Sequence, residues 1–156
     1  MKVLALALAV FIISAHAQTA TQVGAAQGAV RVQINVLQSA SENLIPMAFG
    51  QDERPINSIL GNVNMSIASV TTVLVIGDLL PKMRDPEDAK VVRAQLEFSL
   101  APALQVLDNL LKFTNGYMAL LKSPAAVAEA TKVRDAMIVI RNQLRSLVNS
   151  ETADRP

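Results

Sequence analysis

Apolar residues recur along this chain at helical spacing. Val23, Val30, Leu37 and Leu44 fall every seven residues, with Ile34 and Ala40 on the neighbouring stripe, which predicts an amphipathic helix closing near Pro46. The stretch Pro46 to Arg54 holds a proline, a glycine and three charges without periodicity, and reads as a loop. Pro55 suits the first turn of a second helix, with Asp52 or Arg54 where its cap would be. Ile56, Val63 and Val70 then form one seven-residue series, and Leu60, Ile67 and Leu74 a second offset by four, so a broad buried stripe is expected. Its end, Val70 to Ile76, is β-branched and apolar nearly all round and in isolation would suit a strand. The register running unbroken from Ile56 favours helix.

A third helix start is marked by Asp85 as cap, Pro86 in the first turn, and Glu87 and Asp88 at the positive end of the helix dipole. Val92, Leu96, Leu100, Leu104, Leu107 and Leu111 give it a long apolar face, interrupted by Pro102, whose ring is expected to kink the helix or divide it in two. Asn115-Gly116 is a second weak point, and Tyr117 to Lys122 suits either a continued helix or a separate turn. Ser123-Pro124 repeats the cap-then-proline signal. Val127, Ala130, Val133, Met137, Ile140, Leu144 and Leu147 carry the last helix, before a polar tail, residues 150–156, expected to fray. The fold class expected is all-α, an antiparallel bundle of four to five amphipathic helices over residues 18–149.

The first seventeen residues follow a different pattern. Fourteen are apolar, Lys2 supplies a positive start, Val3 to Ile13 an apolar core, and Ala15-His16-Ala17 a cleavage site, so residues 1–17 read as a signal peptide and the protein as secreted. The apolar run is too short to span a bilayer, and no transmembrane segment is expected. Cleavage before Gln18 leaves 139 residues with 13 basic and 13 acidic side chains, a net charge near zero. The hydrophobic share falls from 51% to about 47%, ordinary for a soluble domain.

That cleavage removes His16, the only histidine, and the chain has no cysteine. Ser-His-Asp and Cys-His catalysis both need a residue type the mature chain lacks. Zinc, copper, haem and iron-sulfur centres lose their usual ligands, leaving carboxylate oxygens for hard cations. Asp85, Glu87 and Asp88 are the acidic cluster, and helix capping accounts for all three. No catalytic residue, metal ligand or cofactor site is therefore assigned, and the protein is expected not to be an enzyme. An exported domain without disulfides must hold itself together by packing, for which 139 residues suffice.

Lys132, Arg134, Arg141 and Arg145 give the last helix a basic side, but without a denser patch or stacking aromatics a nucleic-acid partner is not expected. Asn64-Met65-Ser66 is an N-glycosylation acceptor if a eukaryotic cell exports the chain; otherwise it is a polar strip on the second helix. The interior must be built from Val, Ile, Leu, Ala and the spread-out Met47, Met65, Met83, Met118 and Met137, because only Phe49, Phe98, Phe113 and Tyr117 remain as aromatics. Such a core either packs on itself or opens to an acyl chain.

These features resemble the fungal hydrophobic surface-binding protein A family, which includes cell wall galactomannoproteins. The best local match is Pro86-Glu-Asp-Ala-Lys-Val-Val, then Leu96, Pro102-Ala-Leu, Leu107 and Leu110-Leu-Lys; Thr21-Gln22-Val23, Gln33, Leu37 and Ala40 are similar in spacing in the first helix. Where the family has paired lysines, this chain has Lys112 followed by Phe113. The resemblance implies a secreted or wall-associated protein that adsorbs to hydrophobic surfaces, some members holding a fatty acid between helices. The expected partner is therefore a hydrophobic surface, lipid or fatty acid, met by the apolar faces of helices two and three; the alternative is an effector or structural protein binding another secreted or host protein.

Overall fold

A computed structural model describes the backbone of residues 2–152 and the side chains of residues 23–147. Four helices make up the described chain: α1 (Lys2–Leu44), α2 (Glu53–Leu79), α3 (Pro86–Met118) and α4 (Pro124–Thr152). The count is therefore four and not five. Pro102 does not divide α3, which also passes through Gly116 before ending at Met118. The β-branched end of α2 is helical to Leu79. The proline removes one donor to the Phe98 carbonyl, but its ring lies on the exposed side of α3, where the leucine contacts beneath remain intact.

The stretch expected to be a loop is two short 3₁₀ turns, Ile45–Met47 and Gly50–Asp52, leading into α2 at Glu53. Gly50 has φ +59, a left-handed conformation that glycine adopts without a Cβ penalty. A further 3₁₀ turn, Leu80–Lys82, ends α2. The backbone of α1 continues from Lys2 through the expected cleavage position, and the side chains of that leader lie outside the described residues. Of the tail expected to fray, residues 150–152 continue α4 as helix, and 153–156 lie outside the description.

Short turns make successive helices antiparallel, and the ring closes because α1 packs extensively on α4, as α2 does on α3. Val23, Val30, Leu37 and Leu44 are all buried, as their spacing predicts. So are Ile56, Val63 and Val70 on α2, Leu96, Leu100, Leu107 and Leu111 on α3, and Val133, Met137, Ile140 and Leu144 on α4. Val127 is exposed, and Ala126 takes the inward position beside it. Each neighbouring pair also has a polar pin. Arg31 pairs with Asp78 across α1 and α2; the Asn62 amide donates to Thr114 Oγ1 at 3.1 Å between α2 and α3; Arg145 reaches Asp108 at 2.8 Å between α4 and α3; and Asn43 donates to Glu129 at 3.2 Å between α1 and α4. Hydrogen bonds first from Lys132 and then from Asn43 hold the Glu129 carboxyl below the ordinary Glu range, against a smaller opposing effect of burial.

Candidate apolar binding surface

Among the described residues the interior is closely packed. A void lined by residues such as Val23, Val30, Leu96 and Leu147 measures about 10 Å³, room for roughly one water molecule. The apolar faces of α2 and α3, expected from the sequence to meet apolar material, are consumed by this packing. What remains for a partner is the outside of the same two helices.

From Pro55 to Gly77, 23 consecutive residues carry no charge, a helical length of roughly 35 Å. The exposed surface of α2 there consists of Asn, Gly, Ala and Thr with Met65 and Val75. On α3, every exposed residue from Val91 to Asn109 is also uncharged. Arg93, Glu97 and Asp108 in that stretch are half-buried at its margins. Between the helices runs a groove of about 270 Å³ lined by Ser69, Thr72, Gln95, Phe98, Pro102 and Val106. The Phe98 ring stands at its edge, 76% exposed. A second groove, of about 520 Å³ between α1 and α2, is crossed by the Arg31–Asp78 pair and is more polar.

The phenylalanines help explain why the interior is aliphatic: those among the described residues are outside. Phe49, Phe98 and Phe113 are 71%, 76% and 55% exposed, and Tyr117 is half-buried. Sequence reasoning registered the scarcity of rings without finding their placement. The uncharged run of α2 was legible in the sequence; that its outer surface adjoins an equally uncharged strip of α3 needed the packing. The segment Gly50–Lys82 is also long and apolar enough to cross a membrane, by length and composition, while part of it is buried as core.

The other side of the bundle is charged and internally paired. Lys132 meets Glu129 at 2.6 Å, Arg134 meets Asp135 at 2.7 Å, and Arg141 and Arg145 converge on Asp108. Asp85 caps α3 by accepting the Glu87 N–H at 2.8 Å. Among the described residues no three acidic or histidine side chains gather as a metal site. Asn64 points outward on α2, next to exposed Met65, while the Ser66 hydroxyl is buried and donates to the Asn62 carbonyl at 2.8 Å.

Asp52 holds the position expected of an α2 cap but serves a different helix. Its backbone is helical rather than extended, and its carboxylate turns away to accept the N–H groups of Lys122 and Ser123, at 2.7 and 2.8 Å, just ahead of α4. No protein-family model, curated protein or solved structure matches the chain.

Proposed function

We propose that this is a secreted, non-enzymatic helical bundle that binds apolar material on its outer α2–α3 flank. The observation supporting this reading is the continuous uncharged surface of the two helices, with Phe98 protruding beside a groove. A soluble helix ordinarily places charges on its outer face, as α4 does here. Covering the Phe98 ring takes on the order of 150 Å² out of water, about 4 kcal/mol before the entropy cost of adsorption. The resemblance to the hydrophobic surface-binding protein A family points the same way, and wall association and membership of that family belong to the proposal. An acyl chain entering the interior would have to part the helices, so the external face is the preferred contact. A glycan on Asn64 would stand on the same flank and weaken adsorption.

The reading is tested by depletion of the protein from solution over hydrophobic beads and over hydroxylated beads of equal area. Wild type is expected to deplete on the first alone, with little dependence on salt, and Phe98→Asp with Met65→Lys to lose most of the effect. Equal depletion on both beads would overturn it.

A further inference from the structure

The two ends of the bundle differ in chemistry. Among the described residues, the α2–α3 turn and the start of α3 at one end present Lys82, Arg84, Asp85, Glu87, Asp88 and Lys90, all exposed, with Leu79 and Val91 as exposed large apolar side chains among these charges. At the other end the α1–α2 and α3–α4 turns meet. Ile45, Phe49 and Leu120 are 60%, 71% and 57% exposed on these turns, and Phe113 and Val127 are exposed on the adjoining helical turns. At the tips of the connections these bulky apolar groups contribute little to the core, and several of them gathered at one end mark a contact surface where singly scattered ones would not.

These turns are also held in place. The Asp52 carboxylate binds the N–H groups of both Lys122 and Ser123, so the turn bearing Phe49 is fastened to the turn bearing Leu120. The turns that carry Phe49 and Leu120 are thus held side by side, and the exposed apolar side chains at this end sum to an area on the order of a few hundred Å². The exposed charges nearest along the chain are of both signs: Glu42 and Glu53 with Arg54, Lys112 and Lys122. Lysine and arginine can lay their methylene stems along an apolar layer and keep their charge at its polar margin. A rim of mixed sign complements a headgroup that carries both a phosphate and a quaternary amine.

We propose that this end of the bundle docks end-on to a phospholipid bilayer, with Ile45, Phe49 and Leu120 entering the interfacial layer. These three residues lie on the turns and not among those lining the α2–α3 groove. Because the rim is mixed in sign, binding to zwitterionic phosphatidylcholine vesicles does not require anionic lipid.

The chain has no tryptophan, so a single one introduced at a chosen position reports that position alone. The secreted chain, its mass checked, is prepared as Phe49→Trp, Phe98→Trp and Arg84→Trp and mixed with phosphatidylcholine vesicles containing brominated lipid. Emission from position 49 is expected to shift to the blue and to be quenched, with position 84 unchanged and position 98 quenched far less. Phe49→Ser with Leu120→Ser is expected to lower vesicle partitioning at least tenfold, with helical content by circular dichroism and depletion on hydrophobic beads both retained. Failure to bind vesicles, or strongest quenching at position 98 or 84, overturns the end-on proposal. Bead depletion is read separately and decides the flank proposal by itself.

Discussion

Asp52 is buried and has both carboxylate oxygens engaged by backbone donors of a turn seventy residues away in sequence. Asp52→Ala leaves those two N–H groups without their acceptor and is expected to cost about 2–3 kcal/mol in urea unfolding, with Asp52→Asn, which keeps one acceptor, losing roughly half as much. The Asn62–Thr114 pair follows the opposite logic. Thr114 is wholly buried, and its hydroxyl also lies 3.9 Å from Met137 Sδ. Thr114→Val alone strands the Asn62 amide and is expected to cost about 1–3 kcal/mol, whereas Asn62→Leu with Thr114→Val is expected to be close to neutral. A double-mutant cycle that shows simple additivity would refute the pairing. None of these partnerships was legible in the sequence. Three residues ahead of Pro55, Asp52 is one of two positions, with Arg54, that suit a cap for the helix that follows, and only the turn geometry sends its carboxylate to the start of α4.

At the level of the helix, periodicity carried most of the fold. The stripes Val23 to Leu44 and Ile56 to Val70, and the cap at Asp85, follow from spacing and side-chain chemistry. The companion stripe on α2 followed only in part. Leu74 is buried, Leu60 and Ile67 are half-buried against the core, and Ile59, Ser66 and Val73, offset by three instead of four, are also enclosed. A serine inside that series breaks its apolar signature, and the choice between two flanking stripes is made by where α3 lies. The sequence allows Pro102 either to kink α3 or to divide it, and α3 is undivided: a missing donor divides a helix only if the surrounding packing does not hold the turn together. Pro102→Ala restores that donor and is expected to raise stability by about 1–3 kcal/mol, read as a higher urea midpoint. It also changes the α2–α3 groove, so its bead adsorption should be measured in parallel. The Glu129 junction between α1 and α4 gives a pH dependence with a definite sign. Its carboxyl is held low in the folded chain, so its contribution is present at neutral pH and is lost as pH falls through that lowered value. Glu129→Gln is expected to flatten this part of the acid-unfolding profile, with a small amplitude because the site is near the surface.

Over the whole molecule, the helices form a ring in which the first and last are extensively packed. Val23 of α1 and Leu147 of α4 line the same small void, so the beginning and end of the described side-chain core are adjacent. The chain's linear order is consequently only one of several ways to thread this architecture. A circular permutant that joins the end of α4 to Gln18 by a short glycine-serine linker, and opens the chain in the charged turn at Arg84, is expected to fold to the same helical content. Such a permutant would place new termini at the polar end and leave both apolar surfaces uninterrupted. Fusions could then be attached there without obstructing either one.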